Sequence, residues 1–242
     1  MRSSRRHLGV GSSDTVRLRT KLLSELIGTF AISFFGPASI VVGFLLPGLD
    51  SLQRLAFAAS VPGITLAFDV KFLAKYSGSH VNPAITATFT SAGSFTSRLI
   101  LPYVVFQIIG GLLAGFALSV LFDSRVPMAY LGSNTIAPGV SPFEAVLLEI
   151  VGTMILCLVV LYVVAYVRGA GRQGIIAGIV LSALIFTLGP ISGGSFNPVR
   201  SFGPALFSGL FEGQYVYWIG PPIGGAIAGV VFKAFRKSRA RN

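Results

Sequence analysis

Six long apolar runs, separated by short polar segments, dominate the chain. They cover about residues 22–47, 53–72, 100–122, 143–167, 175–189 and 215–235. Most of them reach or exceed the ~20 residues that an α-helix needs to cross a ~30 Å hydrocarbon core. The fifth run is shorter because Gly189-Pro190 interrupts it. The pattern predicts an all-α integral membrane protein with six transmembrane helices.

Two shorter segments, which follow the second and fifth runs, each open with an Asn-Pro pair. Asn82-Pro83 begins the first segment and Asn197-Pro198 begins the second. Asn is a favoured N-cap and Pro fits the first turn of a helix, so each pair predicts a helix start. About ten residues follow each pair, which at ~1.5 Å per residue is about half of the hydrocarbon core. We therefore expect two re-entrant half-helices that meet near the bilayer midplane and form a narrow pore.

The two halves of the chain carry related sequences. The run ELIGTF at 25–30 returns as EIVGTM at 149–154. The run GGLLAG at 110–115 returns as GGAIAG at 224–229. An Asn-Pro pair lies between these markers in both halves, so the chain contains an internal repeat.

The repeat must be inverted, because each half contains three spans and an odd number returns the chain to the opposite side of the membrane. We place the repeats at about 20–122 and 143–235, with polar basic tails at 1–20 and 236–242. Inverted repeats of this kind place a site at the bilayer midplane. We interpret residues 1–242 as a single membrane channel domain.

The charge distribution supports a membrane protein. Hydrophobic residues make up 53% of the chain and charged residues 11%, whereas soluble domains carry about 25% charged residues. A net charge of +11 could indicate a nucleic-acid partner, but 16 of the 19 Lys and Arg residues flank the spans on one side. Only Arg54 and Arg125 lie in loops on the other side. The positive-inside rule therefore predicts that both termini are cytoplasmic. We expect a multi-pass protein of the plasma membrane, whose basic ends contact anionic lipid and which has no nucleic-acid partner.

These features together resemble the major intrinsic proteins, which are the aquaporins and glycerol facilitators. The resemblance covers nearly all of residues 20–235 and is strongest at SGSHVNPA (77–84) and GGSFNPVRSFGPA (193–205). It implies an aquaporin-like fold, a homotetramer with one pore per subunit, and no cofactor. It also implies a passive channel for water, with small uncharged solutes such as glycerol, urea or a boric-acid-like molecule as candidate further permeants.

The two Asn-Pro boxes carry the chemistry expected of such a pore. Each half-helix points a partial positive charge at the midplane, and the amides of Asn82 and Asn197 can donate to the oxygen of a passing molecule. A water held in this way has no acceptor site left, which interrupts proton transfer along the file. The two facing helix termini repel cations. Val199 either faces the pore or packs behind it. The boxes consist of Asn82, Pro83, Ala84, Asn197, Pro198 and Val199.

The resemblance also predicts a selectivity filter at the outer constriction. Its members are Arg200, Ile185, Gly194 and Pro62. Strict water channels place an aromatic residue and a histidine where this chain has Pro62 and Ile185, so the filter should be wider and less polar. Ser201, by contrast, favours a water channel, because glycerol facilitators carry an aspartate at this position. The two sets of residues point in different directions, so the alternative of a solute-selective facilitator with little water flux stays open.

Several polar residues lie inside or beside the spans. Glu25 and Glu149 occupy matching places, and we expect them to brace the two re-entrant loops together with His80 and Gln107. If the two glutamates instead bind protons, the protein is a proton-coupled secondary transporter. A closed structural junction protein is a third alternative. Tyr130 and Asn134, in the longest loop, are candidates for shaping the outer vestibule.

Enzyme chemistry is absent from the sequence pattern. We find no nucleophile paired with a base, no cluster of metal ligands and no phosphate-binding loop. The chain is therefore not expected to be an enzyme or to hold a metal.

Overall fold

The computed structural model describes residues 16–122 and 127–240 of the chain. Its α-helices within these ranges are α1 Leu18–Leu45, α2 Ser51–Ser77, α3 Pro83–Ser91, α4 Ile100–Phe122, α5 Pro142–Tyr166, α6 Ala170–Ser192, α7 Pro198–Ser208 and α8 Gln214–Arg239. Single 3-10 helices cover Ser97–Leu99 and Pro127–Gly132. All helices except α3 and α7 are long and apolar enough to cross a membrane. The predicted all-helical architecture of six spanning helices and two half-helices is confirmed.

The predicted interruption of the fifth span at Gly189-Pro190 is wrong, because α6 continues to Ser192. Pro190 removes one backbone donor near the end of the helix, where few hydrogen bonds remain to be lost. The helix ends instead at Gly193, whose φ of 94° is easily adopted by glycine and whose N–H donates to the Gly189 carbonyl at 3.1 Å. Helix α2 also extends beyond the predicted apolar run of 53–72. It ends at Ser77, and Gly78 is its C-cap.

Capping side chains define the starts of several helices. Asp50 begins α2 and Ser141 begins α5, each through a reciprocal capping box. Asn82 begins α3 and Asn197 begins α7, and in both cases proline occupies the first helical position. Local side-chain chemistry therefore marks the start of each of these four helices.

Helix packing follows the internal repeat. Helix α1 packs on α4 as α5 packs on α8, and α1 packs on α2 as α5 packs on α6. Each half-helix packs on the last span of the other half, so that α3 contacts α8 and α7 contacts α4. Helices α2 and α6 pack on each other. The two halves are therefore interleaved rather than placed side by side.

Glycines permit the close contacts of α4 and α8. A Cβ added to Gly110 would clash with the backbone carbonyl of Leu26, and one added to Gly224 would clash with that of Ile150. These two glycines hold matching positions in the repeat. Small residues let membrane helices approach closely, which brings the half-helices against their scaffold.

Some of the basic residues used to predict the topology lie outside the described residues. They are Arg2, Arg5, Arg6, Arg125 and Arg241.

Candidate functional site

The two Asn-Pro boxes meet through reciprocal hydrogen bonds. Asn82 Nδ2 donates to the carbonyl of Phe196 at 2.7 Å, and Asn197 Nδ2 donates to the carbonyl of Val81 at 3.0 Å. The Oδ1 atom of each asparagine accepts from its own helix, since Asn82 Oδ1 caps the N–H of Ala84 at 2.8 Å. Each carboxamide therefore caps one half-helix and joins it to the loop of the other.

Each amide keeps a second hydrogen for another partner. A side-chain amide carries two N–H groups, and one of them is used in the cross-bond. No second acceptor for either Nδ2 atom occurs in the described ranges, and Asn82 and Asn197 both line a cavity. Each asparagine therefore keeps one N–H donor, and both residues lie on the wall of the same cavity.

The loops before the half-helices have strained backbone. Val81 and Phe196 have φ angles of 46° and 52°, and Ser79 has a φ of 52°. A positive φ is uncommon for residues other than glycine and is unusual for a β-branched valine. These conformations precede the two asparagines directly, so the strain is located where the two halves meet.

Two buried glutamates hold these strained loops in equivalent ways. Glu25 accepts from the backbone N–H of His80 at 2.9 Å and of Val81 at 2.7 Å. Glu149 accepts from the backbone N–H of Ser195 at 2.9 Å and of Phe196 at 2.8 Å. Both side chains are fully buried. Each carboxylate thus satisfies two backbone donors that the loop geometry leaves without backbone partners.

Each glutamate also accepts from one more side chain, although the donors differ between the halves. Gln107 Nε2 donates to Glu25 Oε2 at 2.7 Å, whereas Ser192 Oγ donates to Glu149 Oε1 at 2.9 Å. Gln107 reaches Thr86 Oγ1 as well, at 3.1 Å. The first loop is therefore tied to α4, and the second is tied to the end of α6.

The His80 ring is enclosed by aromatic side chains. Its Nδ1 lies 3.2 Å from Thr86 Oγ1. Its ring centroid lies 4.8 Å from Phe89, 4.7 Å from Phe95 and 5.3 Å from Tyr103. Among the described residues, no group of three potential metal ligands occurs near it or elsewhere. The packing is that of a structural histidine.

A cavity of about 330 Å³ runs along the junction of the two halves. Its wall includes Asn82 and Asn197 and, of the predicted filter residues, Pro62, Ile185 and Arg200. Most of the remaining wall is apolar, with Lys75 and Gln173 among its few other polar side chains. The structure thus brings three of the four predicted filter residues and both asparagines to one volume.

Val199 of the second box and Gly194 of the predicted filter lie away from this wall. Val199 is fully buried and packs against α4, where a Cβ on Gly111 would clash with its side chain. Gly194 has a φ of 59° and packs against Gly189 and Ile185, since a Cβ on it would lie 3.5 Å from Ile185 Cα. Val199 therefore fills space behind its box.

Arg200 is buried and is attached to the loop before α5. Its Nη1 donates to the Gly132 carbonyl at 3.5 Å and to Asn134 Oδ1. Asn134 Oδ1 also accepts from Ser201 Oγ at 2.7 Å. The sequence indicated Asn134 only as a vestibule candidate, because an isolated polar loop residue carries no pattern that predicts its partner 66 positions away.

Comparison with known proteins identifies the family. The sequence profile of the family "Major intrinsic protein" matches residues 12–232. The chain belongs to the major intrinsic protein family. Members of this family are channels for water and small solutes and are not enzymes, so the chain is a multi-pass membrane channel.

Curated relatives support the same conclusion. The chain is similar to Aquaporin AqpM of Methanothermobacter marburgensis, with 32% identity over 90% of this chain and 98% of that protein. It is similar to Aquaporin TIP4-4 of Zea mays, with 37% identity over 87% of this chain and 84% of that protein. A probable NIP-type aquaporin of Nicotiana alata is 32% identical over 94% of this chain and 82% of that protein.

A solved structure shares the fold. The X-ray structure of the aquaglyceroporin from Plasmodium falciparum superimposes with a TM-score of 0.75. The alignment covers 90% of this chain and 94% of that protein, at 24% sequence identity. The aquaporin fold of this family member is thereby confirmed.

Proposed function

We propose that this protein is a passive channel for water and small uncharged solutes that excludes protons and ions. The observation that carries the proposal is the reciprocal crossing of Asn82 and Asn197 beside one cavity. A symmetric pair of donors is suited to a neutral oxygen and offers nothing to a cation.

The exclusion of charge follows from the electrostatics of the two half-helices. Each N-terminus carries roughly half a positive charge, and the two termini adjoin the same cavity. A water whose oxygen accepts from both amides must turn its hydrogens away, so it cannot accept a proton from a neighbouring water. A hydroxylated solute can present its oxygen in the same manner.

The predicted filter favours permeants larger than water. Arg200 uses Nη1 for the loop, and the three N–H groups on Nε and Nη2 have no acceptor in the described part of the chain. Pro62 and Ile185 offer only apolar surface, and Gly194 offers no side chain. A donor on one side and apolar groups on the other suit a small molecule with both hydroxyl and carbon surface, such as glycerol, in addition to water.

The carboxylates support a channel over a proton-coupled carrier. Both Glu25 oxygens and both Glu149 oxygens accept hydrogen bonds from the loops. A carrier would need at least one of these carboxylates to exchange protons with the permeation path, yet neither glutamate lines the cavity wall. The contacts support the bracing role.

The proposal includes a location and an assembly. We infer a plasma-membrane protein with both termini in the cytoplasm, since the described basic residues at the ends of α1 and α8 lie on the predicted inner side. Exposed apolar side chains on the spans, such as Leu101, Phe116 and Ile179, suit contact with lipid or with other subunits of a homotetramer. Residues 1–242 form one channel domain in this proposal.

The direct test is flux through the purified protein in liposomes. Stopped-flow light scattering should show faster shrinkage than empty liposomes in hyperosmotic buffer, followed by re-swelling when the osmolyte is glycerol, urea or boric acid. A pH-sensitive dye inside the same liposomes should report no added proton flux. Shrinkage at the rate of empty liposomes would reject the channel, and uptake driven by a pH gradient would favour a carrier.

A substitution at the crossing sharpens this test. Asn197→Asp keeps the capping oxygen but removes both amide donors and adds negative charge. We expect proton or cation leak to rise by roughly tenfold, since a hydrogen bond that involves a charged group is worth on the order of 1.5–3 kcal/mol. Asp50→Asn makes the reverse change at a helix cap outside the cavity, and it should leave all fluxes unchanged. Equal leak from both variants would contradict the proposed role of the crossing.

A further inference from the structure

Lys75 is a second cationic residue on the wall of the cavity that holds the Asn82–Asn197 crossing. Arg200 is the other, and no aspartate or glutamate occurs among the described residues of this wall. Val70 and Ala74, on the same helix as Lys75, line the cavity as well, so Lys75 adjoins an apolar stretch of the wall. Charges of one sign beside low-dielectric walls focus their field into a cleft. The potential in this cavity is therefore positive.

The two cations lie at opposite ends of the cavity. Arg200 Nη1 donates to Gly132 and Asn134 in the loop before α5. Lys75 lies in the last turn of α2. The two spans α4 and α5 separate the end of α2 from the connection at 167–169, so both of these lie on one membrane side. The loop that holds Arg200 precedes α5 and therefore lies on the other side.

The positive charge of Lys75 is uncompensated. No ion pair or side-chain hydrogen bond of Lys75 occurs in the described part of the chain, and its Nζ lies 4.7 Å from the centroid of the Tyr76 ring. The face of an aromatic ring attracts an ammonium group through its quadrupole and does not neutralise it. The contact with Tyr76 thus restrains the ammonium and leaves its field intact.

The internal repeat does not account for this lysine. Seven residues before Asn82 stands Lys75, whereas seven residues before Asn197 stands Pro190. Each half of the chain therefore supplies one cation to the cavity wall, at a position where the other half has an uncharged residue. The scaffold that the two halves share does not require Lys75.

We propose that Lys75 is a specificity-determining residue that forms an electrostatic barrier to cations at the inner mouth, the end of the cavity lined by Lys75 and Gln173. Its charge lowers the local concentration of potassium ions and protonated amines before they reach the crossing, whereas a neutral solute such as glycerol is not repelled. This inference rests on the proposed function, because it adds a second charge filter to the same permeation path and takes this mouth as cytoplasmic.

The first test measures the potential at the inner mouth without any flux. Gln173→Cys places a thiol on the cavity wall of the full-length protein in detergent, and mass spectrometry reports its reaction with methanethiosulfonates that carry either a sulfonate or a trimethylammonium group. The native Cys157 is buried and should not react.

The ratio of the sulfonate rate to the trimethylammonium rate reports the local charge. Adding Lys75→Gln should lower this ratio by at least roughly threefold in ~0.1 M salt, where the Debye length is ~10 Å. The difference should disappear in ~1 M salt, where the Debye length is ~3 Å. A ratio that Lys75→Gln leaves unchanged overturns the proposal whatever the fluxes are.

Lys71→Gln is the matched control. Lys71 lies one turn before Lys75 on α2, and its Nζ also contacts an aromatic ring, that of Phe72 at 5.1 Å, but Lys71 is not on the cavity wall. Its substitution should change the rate ratio much less than Lys75→Gln does. Equal changes in the two variants would overturn the proposal, because the thiol would then respond to general surface charge.

The second test measures transport in liposomes. Where Arg200→Ala has removed the outer charge, adding Lys75→Gln should raise potassium leak by at least roughly threefold more, whereas adding Lys71→Gln should not. Equal leak with and without Lys75 would contradict the barrier. If the wild type conducts neither water nor glycerol but the labelling ratio changes as expected, the proposed function fails and the positive charge at the inner mouth stands.

Discussion

The two halves of the molecule share one scaffold but differ in what they place beside the cavity. Glu25 and Glu149 hold their loops through equivalent backbone bonds, and Asn82 and Asn197 cross to the opposite loops in the same way. Three residues after the asparagine, however, the first half has Ile85 and the second half has Arg200. One position in the repeat is therefore apolar in one half and charged in the other.

This difference shows that the residues that form the half-helices are distinct from those that we propose to select the permeant. The features that build the half-helices occur twice, namely a capping asparagine, a proline and a glutamate brace. The feature that discriminates between permeants in our proposal, the guanidinium of Arg200, occurs once. A duplicated scaffold can thus keep its geometry while only one copy acquires the charged filter.

The largest effect should come from removing this asymmetry. We expect Arg200→Ala to raise glycerol and cation permeability by roughly tenfold or more, because a lost charged donor is worth on the order of 1.5–3 kcal/mol. Ile85→Ala is the matched control at the equivalent position of the first half, and its fluxes should stay within about twofold. Stopped-flow and ion-flux measurements on the same preparations compare the two. Similar changes in both variants would show that the position, rather than the charge, sets selectivity.

The next effect concerns the shared part of the scaffold. Glu25→Gln and Glu149→Gln should each lower the free energy of unfolding by about 3 kcal/mol, since an amide cannot accept all the donors that a carboxylate holds. The two losses should be similar because each glutamate braces two backbone N–H groups.

These losses are measured by heating each variant in detergent and using size-exclusion chromatography to determine the fraction that stays folded at each temperature. Glu144→Gln changes an exposed glutamate whose capping box also tolerates glutamine, so it should cost less than about 1 kcal/mol. If both buried variants remained fully stable and lost transport only under a pH gradient, the carrier alternative would replace the channel.

A smaller change should follow from adding polarity to the apolar side of the predicted filter. Ile185→His supplies a donor opposite Arg200 and narrows the cavity, so we expect the water-to-glycerol ratio to rise by about threefold to tenfold, as one neutral hydrogen bond is worth roughly 0.5–1.5 kcal/mol. Leu181→His, one turn earlier on α6 and also on the wall, is the control. A ratio that responds equally to both substitutions would show that Ile185 has no special place.

The smallest effect on flux should come from the bulkier residue of the second box. Val199 packs against Gly111 behind the cavity, so Val199→Ala should change permeability by less than about twofold while lowering stability by about 1–2 kcal/mol. Ala84→Val, at the matching place in the first box, should instead cost about 1–3 kcal/mol through overpacking. A large rise in flux for Val199→Ala would mean that the side chain narrows the pore.

Local chemistry made much of the fold predictable. Asn before Pro specifies a helix start within four residues, and span length follows from bilayer thickness, so both half-helices and all six spans could be expected. The internal repeat added the inversion and the matching glutamates. The prediction of an interruption at Gly189-Pro190 was wrong, because the sequence pattern does not show how strongly α6 packs on α2 and α5. This packing outweighs the single backbone hydrogen bond that Pro190 removes.

The parts that escaped prediction depend on tertiary direction. The sequence left two orientations for Val199, toward the cavity or toward α4. The choice depends on the rotation of α7 about its axis, and the contact between Val199 and Gly111 shows that the side chain faces α4. The bonds of Asn134 depended on a loop that folds back over 59 to 80 positions to meet Gly193, Arg200 and Gln214. Irregular loops carry no period, so their partners cannot be deduced from spacing.

The crossed asparagines have a consequence for biosynthesis. When the ribosome has delivered the chain only as far as Phe122, the Asn82 amide lacks the Phe196 carbonyl and the Val81 carbonyl lacks the Asn197 amide. Neither half can complete its own loop, and each depends on a segment more than 110 residues distant. Both cross-bonds of the first half therefore form only after residues 196 and 197 have been synthesised and inserted.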